Sequence, residues 1–254
     1  MLAEVLPELR SELGPARVVA PATHDTGSAV VSTPVTSPVG WGYISSGTWS
    51  LVGVELQHPV MTPEAMAANF TNEGGVFGTT RFLKNVMGLW LLQECQRSFA
   101  RTGHVTDYDT LLADVDAVPA FAALVDPDDP RFLAPEDMPT AINTYLLEYG
   151  QAPLVAPAAF ARCIMESLVL RYCEVFHQIN ELTGAIMNGV HVLGGGARNT
   201  RLNQWLADAL EVHAIAQNVP TRVFSPRTTH LAGWNEAAQR FVRQPSSDFA
   251  ERSS

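Results

Sequence analysis

The chain has 254 residues, of which 46% are hydrophobic, and carries a formal net charge of −10 at pH 7. The hydrophobic fraction and the length together indicate a folded globular protein with a substantial core, and they exclude a disordered chain. The negative charge argues against a nucleic-acid partner, because binding to a nucleic-acid backbone depends on clustered Lys and Arg side chains.

Neither a membrane helix nor a secretion signal is predicted. Glu4 and Glu8 interrupt the apolar residues at the start of the chain, where a signal peptide needs an uncharged core. The uncharged run between Asp25 and Glu55 is rich in Pro, Gly, Ser and Thr, which indicates strands and loops. The three cysteines have no metal-ligand spacing. We therefore expect a cytoplasmic protein with reduced cysteines and no membrane partner.

The first hundred residues are predicted to be rich in strands. A short helix is predicted over residues 2–13 and ends at Gly14-Pro15. Five strands follow, separated by Pro and Gly turns. They are predicted at 16–22, 28–34, 41–46, 50–56 and 76–82. Apolar residues at helical spacing then predict a helix over 83–101.

The second half is predicted to be mostly helical. Residues 103–157 are acidic and contain several prolines, which predicts a surface insert with short helices at 107–115 and 138–148. The longest helix is predicted over 157–183, where apolar residues recur every three or four positions, and Gly184 is its predicted C-cap.

A strand, a glycine loop and a helix end the ordered part. The strand is predicted at 189–193 and the helix at 199–210, with Asn199 as N-cap. The predicted order of elements is strands first, then helices, then this strand–loop–helix unit. This order suits an α/β fold of the actin-like ATPase or ribonuclease H-like type. One domain is predicted over 1–213, and residues 214–254 are expected to form a diverged tail that packs poorly.

Three predicted loops carry the polar residues best suited to chemistry. They are His24-Asp25-Thr26-Gly27, Ser46-Gly47-Thr48 and Gly194-Gly195-Gly196, each directly after a strand-like run. A carboxylate at the end of a strand can accept a proton, and glycines let backbone N–H groups approach a phosphate. Asp-Thr-Gly and three glycines are also ordinary turn sequences, so these motifs alone leave both interpretations open.

Several other chemistries lack their motifs. The sequence has no G-x-x-x-x-G-K-[ST] loop, no G-x-S-x-G elbow and no H-E-x-x-H pair, which argues against a P-loop enzyme, a serine hydrolase and a zinc site. No metal-ligand set is predicted. A nucleotide site would therefore have to hold phosphates with backbone amides, hydroxyls and Mg²⁺.

Six stretches resemble, in order, the C-terminal domain of the FGGY carbohydrate kinases. They are HDTGSAVV, YISSGTWSLVGVE, AANFTNEGG, RFLKNVMGLWLLQE, FARCIMESLVLRY and HVLGGGARNTRLNQWLADAL, between about residues 16 and 213. The resemblance implies the C-terminal half of a two-domain sugar kinase that uses ATP and Mg²⁺. It is nearest to the branch of the family that phosphorylates L-rhamnulose, a ketose.

The resemblance also implies roles for six residues. Asp25 matches the catalytic base, His24 a sugar contact, and Thr48, Asn85, Gln93 and Gly195 match nucleotide contacts. The eight-residue spacing of Asn85 and Gln93 puts both on nearly one face of the predicted helix 83–101. Each of four residues also has an alternative interpretation without a ligand. His24 could be a histidine of the cleft wall bonded to backbone, and Thr48 could be an ordinary strand-turn hydroxyl. Asn85 and Gln93 could be surface amides of the predicted helix.

Two further functions stay open at this point. One is a catalytically inactive nucleotide-binding module of the same fold, and the other is an acid/base hydrolase that uses Asp25 and His24. No stretch of the given sequence resembles the family's first domain. We therefore expect the chain by itself to bind Mg²⁺·ATP weakly, to phosphorylate no sugar at an enzymatic rate, and to associate with a first kinase domain or with itself.

Overall fold

The structure is a computed structural model and describes residues 3–18, 24–33, 40–103, 107–217 and 221–242. These ranges contain nine β-strands and nine α-helices. The strands are β1 Ala3–Glu4, β2 Arg17–Val18, β3 Trp41–Ser46, β4 Trp49–Leu56, β5 Thr71–Gly74, β6 Thr80–Met87, β7 Gly189–Leu193, β8 His213–Ala216 and β9 Arg222–Phe224. The helices are α1 Arg10–Leu13, α2 Asp25–Val31, α3 Pro63–Ala67, α4 Trp90–Arg101, α5 Tyr108–Asp114, α6 Met138–Glu148, α7 Pro157–Thr183, α8 Thr200–Leu210 and α9 Leu231–Val242.

Seven strands form one mixed sheet in the order β5-β6-β4-β3-β7-β8-β9. The β5, β6, β4 and β3 strands are antiparallel neighbours, β3, β7 and β8 run parallel, and β9 is antiparallel to β8. Ser45 near the end of β3 pairs with Leu193 at the end of β7. The loops that follow these two parallel strands therefore lie side by side at one edge of the sheet.

Helix α7 is the centre of the core. It contacts α4, α8 and α9 as well as strands β4 and β6. Its residues Ile164, Leu168 and Val175 are fully buried. The hydroxyl groups of Tyr172 on α7 and Ser50 on β4 lie 2.7 Å apart, which gives each buried hydroxyl a partner.

The helical half agrees closely with the sequence prediction. Helices α6 and α7 have the predicted bounds, and Gly184 ends α7 in the left-handed conformation with φ of 67°. Strand β7 also has its predicted bounds. The Asn199 side chain accepts a hydrogen bond of 2.9 Å from the Leu202 N–H, so the predicted N-cap of α8 is confirmed.

The predicted strand 28–34 is wrong, because residues 25–31 form helix α2. The His24 side chain caps this helix by accepting a hydrogen bond from the Thr26 N–H, and Asp25 lies in the first turn, where a carboxylate stabilises the helix dipole. Two valines at the end of the run favoured the strand. Residues 19–22 and 34 of the predicted strands lie outside the described residues.

The predicted helix 83–101 is also wrong in its first part. Residues 80–87 form β6, which pairs with β4 along its whole length, and the helix begins only at Trp90. A Cβ on Gly88, which separates the two elements, would come within 2.6 Å of the Ser50 hydroxyl. The predicted helix 2–13 is likewise shorter, since α1 covers only 10–13 after a single 3₁₀ turn.

The insert 103–157 is not confined to the surface. Asp128 accepts a 2.7 Å hydrogen bond from the Met87 N–H and a 2.8 Å hydrogen bond from the Arg171 guanidinium. Phe132 and Tyr145 are fully buried. The proline-rich, acidic turn at 126–130 therefore ties the insert to β6 and α7.

The tail is better packed than the sequence predicts. Strand β9 joins the sheet, and Trp234 and Phe241 of α9 are buried. Asp208, whose side chain is fully buried, accepts hydrogen bonds from the Arg227 N–H and from its guanidinium at 2.8 and 2.6 Å. These hydrogen bonds between Asp208 and Arg227 hold the tail on α8. The two residues are far apart in the sequence, so the composition of the tail alone does not predict this contact. Residues 243–254 lie outside the described residues, and the boundary at 213 stays a prediction.

Candidate functional site

A cavity of about 760 Å³ lies at the sheet edge where β3 and β7 end. Four segments form its wall: the β3–β4 turn, the start of α4, helix α5 and the segment between β7 and α8. The lining residues are Gly47, Leu89, Gln93, Tyr108, Asp109, Leu112, Gly195, Gly196, Arg198, Thr200 and Arg201. Two of the three loops singled out in the sequence therefore meet here.

The β3–β4 turn is fixed to the start of α4. The N–H groups of Leu89 and Trp90 donate hydrogen bonds of 3.0 and 3.1 Å to the carbonyls of Gly47 and Thr48. The Thr48 hydroxyl donates to the Gln93 side-chain carbonyl at 3.3 Å. The structure thus brings together Thr48 and Gln93, both predicted to contact a nucleotide.

The three consecutive glycines have different structural roles. Gly194 has φ of 76°, and a Cβ there would come within 2.7 Å of the Ser46 carbonyl oxygen. A Cβ on Gly196 would come within 2.0 Å of the Ser46 hydroxyl. No atom lies within 4 Å of a Cβ built on Gly195. Packing against β3 accounts for the first and third glycines, whereas Gly195 presents bare backbone to the cavity.

Helix α5 forms the outer wall of the cavity and is held by side chains of α8 and its cap. The Arg201 guanidinium donates to both carboxylate oxygens of Asp116 and to the Leu112 carbonyl. This hydrogen bonding lowers the pKa of Asp116 below its ordinary value. The Asn199 side chain donates a 3.0 Å hydrogen bond to the Tyr108 hydroxyl. Burial raises the pKa of Tyr108, so this phenol is neutral at pH 7.

Sequence reasoning missed most of the cavity residues outside the two loops and Gln93, and four of the missed residues have aromatic or charged side chains. They are Tyr108, Asp109, Arg198 and Arg201. Arg198 directly follows the glycine loop and could have been found there. The other three depend on the packing of α5 against α8, which no local pattern indicates.

Asp25 and His24 lie at the start of α2 and do not line this cavity. Asp25 is the first residue of the helix rather than a strand-end residue, and its side chain is 91% exposed. Its Oδ1 atom accepts a 2.7 Å hydrogen bond from the Thr26 N–H and lies 2.9 Å from His24 Nδ1. Among the described residues, none donates a hydrogen bond to Oδ2.

Asn85 lies on β6 opposite Leu51, with its side chain exposed between the buried Lys84 and Val86. It does not line the cavity. The spacing argument that joined Asn85 to Gln93 on one helix face is wrong, because the two residues belong to a strand and a helix. The nucleotide contact predicted for Asn85 stays an untested prediction.

A second cavity, of about 750 Å³, lies near the opposite ends of the same strands. Gly40, Val54, Ile186 and Met187 are among its lining residues, and its wall is mostly apolar. It includes none of the six predicted site residues. We regard the cavity at the glycine loop as the candidate site, because a phosphate needs polar partners that the second cavity mostly lacks.

No group of three or more His, Cys, Asp or Glu side chains converges on a common point within the described ranges. In those same ranges, no helix is long and apolar enough to cross a membrane. All three cysteines are free thiols.

Comparison with known proteins identifies the family. Residues 42–223 match the model of the FGGY family of carbohydrate kinases, C-terminal domain. The chain belongs to the FGGY family of carbohydrate kinases. The match runs beyond residue 213, so the family pattern extends into the segment predicted to be diverged, and it begins after Asp25.

Two curated relatives are rhamnulokinases. The chain is 47% identical over 200 residues to the rhamnulokinase of Pectobacterium carotovorum subsp. carotovorum, a match that covers 78% of this chain and 39% of the relative. It is 44% identical over 204 residues to the rhamnulokinase of Bacteroides thetaiotaomicron, covering 80% and 41%. The chain thus spans about two fifths of the length of the curated relatives it matches.

Solved sugar kinases share the fold. A xyloylose kinase from Brucella ovis superposes with a TM-score of 0.66 at 14% identity, over 94% of this chain and 54% of that one. A carbohydrate kinase from Novosphingobium aromaticivorans gives 0.61 at 16% identity, over 95% and 54%. The predicted α/β fold of the actin-like ATPase type is confirmed.

Proposed function

We propose that this chain provides the nucleotide site and the catalytic base of an ATP-dependent kinase that converts L-rhamnulose to L-rhamnulose 1-phosphate in the cytoplasm. The observation that carries the proposal is the meeting of Gly47, Gln93 and the exposed Gly195 backbone around one cavity, with Thr48 hydrogen-bonded to Gln93 beside it. The identity to two rhamnulokinases supports the choice of sugar. The three free thiols suit a reducing compartment.

The cavity offers backbone and uncharged polar groups to a nucleotide. Gly195 leaves room for the ligand to lie against the main chain, and the Thr48 hydroxyl and the Gln93 amide lie at the turn beside it. Mg²⁺ enters as part of the substrate, Mg²⁺·ATP. A magnesium ion of this kind is held mainly by phosphate oxygens and water, with few protein carboxylates, and so needs no protein cage.

Asp25 is proposed to orient the sugar and to take its proton. The oxygen of the 1-hydroxyl attacks the γ-phosphorus, the bond between that phosphorus and the bridging oxygen breaks, and ADP leaves with the electron pair. The proton of the hydroxyl passes to Asp25 Oδ2. The hydrogen bond from the Thr26 N–H holds the other carboxylate oxygen and so fixes the direction of the base. His24, beside it, is proposed to contact the sugar.

A complete active site needs groups beyond those described here. Phosphoryl transfer depends on holding acceptor, γ-phosphate and metal in line, and such orientation is worth roughly 7–11 kcal/mol. Asp25 is almost fully exposed, and nothing in the described residues fixes an acceptor beside it. We propose that a first kinase domain, as a partner or as part of a longer chain, covers Asp25 and the cavity.

Calorimetric titration of the chain with Mg²⁺·ATP tests the nucleotide site. Saturable binding that is lost when Thr48 and Gln93 are both replaced by Ala supports the proposal. Absence of binding in the micromolar to millimolar range contradicts it. An inactive nucleotide-binding module would also bind ATP but would gain no sugar-dependent turnover from a first domain. The acid/base hydrolase predicted as an alternative would act without ATP.

A further inference from the structure

Tyr108 is the one aromatic side chain among the described residues that line the candidate nucleotide cavity. It is the first residue of α5, whose N-cap is Asp107, and its ring is partly buried against the core. The remaining lining residues are glycines, aliphatic side chains and polar or charged side chains. The cavity therefore contains a single flat apolar surface of the kind on which a nucleoside base stacks.

The position of this ring is fixed by a hydrogen bond to its hydroxyl group. The Asn199 side chain, which is buried, donates its 3.0 Å hydrogen bond to the Tyr108 hydroxyl, while its carbonyl oxygen caps α8. The Asn199 main-chain N–H donates a 2.9 Å hydrogen bond to the Gly196 carbonyl. Asn199 thus links the glycine loop, helix α8 and the tyrosine ring. These bonds fix the position of the ring relative to the bare backbone at Gly195.

The helix that carries Tyr108 is anchored as well. Arg201 binds Asp116 and the Leu112 carbonyl, and the Arg162 guanidinium donates to the carbonyls of Val115 and Val118 at 3.0 and 2.6 Å. Two arginines, one from α8 and one from α7, therefore hold the C-terminal half of α5 and the turn that follows it. A wall that is preorganised in this way loses little freedom when a ligand binds.

We propose that Tyr108 is the platform on which the nucleoside base of the substrate stacks, and that Asn199 is the positioning residue that fixes the ring relative to the glycine loop. The inference rests on the proposed nucleotide site and specifies which wall receives the base. In this arrangement the base binds to α5, and the phosphates bind to the β3–β4 turn.

The test compares two probes in the same variants of the full chain. The probes are Mg²⁺·ATP and Mg²⁺·tripolyphosphate, which lacks the nucleoside, and the dissociation constants are measured by calorimetry. Tyr108→Leu should weaken ATP binding about tenfold or more and change tripolyphosphate binding less than twofold, since base stacking is lost and phosphate contacts remain. Tyr108→Phe keeps the ring but loses the hydrogen bond from Asn199, so it should weaken ATP binding by about threefold and leave tripolyphosphate binding unchanged. Tyr149→Leu is the matched control, a partly buried tyrosine outside the cavity.

The outcomes separate the two proposals. ATP binding by Tyr108→Leu equal to that of the parent overturns the stacking role, as does an equal loss for ATP and tripolyphosphate. A parent chain that does not bind ATP overturns the proposed function and the platform with it. Melting temperatures report folding of each variant. If Tyr108→Leu unfolds, Tyr108→Met, which retains a flexible apolar side chain, is measured in the same way and judged by the same criteria.

Discussion

Replacement of Gly195 by Val should abolish most nucleotide binding and leave the protein folded. A Cβ at this position meets no atom within 4 Å, and the glycine has no left-handed φ, so Val fits the free chain. The change in unfolding free energy should stay within about 0.5 kcal/mol, as for other exposed positions. A ligand that lies against the Gly195 backbone, however, would collide with the added isopropyl group.

The magnitude follows from mass action. If the variant binds Mg²⁺·ATP about a hundredfold more weakly, then ATP at 100 times the parent's dissociation constant stabilises the parent by about 2.7 kcal/mol and the variant by about 0.4 kcal/mol. In a domain of this size, 1 kcal/mol corresponds to a shift of about 2–4 °C in melting temperature. The ATP-induced shift should therefore fall from about 5–11 °C to about 1 °C.

The assay is a thermal melt of each protein with and without Mg²⁺·ATP. Gly74→Val is the matched control, because a Cβ at Gly74 also meets no atom within 4 Å, while the residue lies on the edge strand β5 and outside the cavity. The control should keep the parent's ATP-induced shift. An undiminished shift in Gly195→Val would refute the assignment of the glycine loop, and an equal loss in both variants would show that the effect is not specific to the cavity.

Three further predictions concern stability and catalysis. Asp208→Ala should lower the free energy of unfolding by about 1–3 kcal/mol in urea titrations, because it removes the buried acceptor of the Arg227 N–H and guanidinium. The exposed Glu211→Ala should change it by less than about 0.5 kcal/mol, and equal effects would contradict the stabilising role of Asp208. Burial lowers the pKa of His191 below its ordinary value. Just below pH 6.5 the unfolded chain therefore binds more protons than the folded chain. The stability that the folded chain gains from a neutral His191 is present above that pH and is lost on acidification. The parent should therefore lose more stability than His191→Gln between pH 7.5 and 5.5, and parallel losses would rule out this contribution. In an assay with a first kinase domain, Asp25→Asn should lower kcat by roughly 10²–10⁴ with little change in ATP affinity, and turnover at the parent rate would exclude Asp25 as the base.

Helix α7 and strand β7 could be predicted to the residue because their signals are local. The apolar stripe of α7 runs for its whole length, and Gly184 ends it with a positive φ that glycine adopts without strain. The end of β6 could not be predicted in the same way. Its apolar residues continue into α4 with only Gly88 between them, and only pairing with β4 shows that residues 80–87 are extended.

The same difference between local signals and long-range contacts applies to the candidate site. Thr48, Gln93 and Gly195 lie in motifs that can be read from the chain, and they meet because β3 and β7 are parallel neighbours. The distinct roles of the three glycines could not be read, since they depend on how closely Ser46 approaches. Tyr108 was missed for a similar reason: its hydrogen-bond partner Asn199 is 91 positions away in the sequence.

The most direct test of the proposed kinase is sugar-dependent ADP formation. The chain is mixed with the part of the Pectobacterium carotovorum rhamnulokinase that lies outside the matched 200 residues, and ADP is measured with and without L-rhamnulose in the presence of Mg²⁺·ATP. The proposal predicts ADP formation that requires L-rhamnulose and both proteins. This ADP formation should be lost when the Asp25→Asn variant is used in place of the parent chain. ADP formation at an enzymatic rate by the chain alone, or formation that does not depend on Asp25, would contradict it.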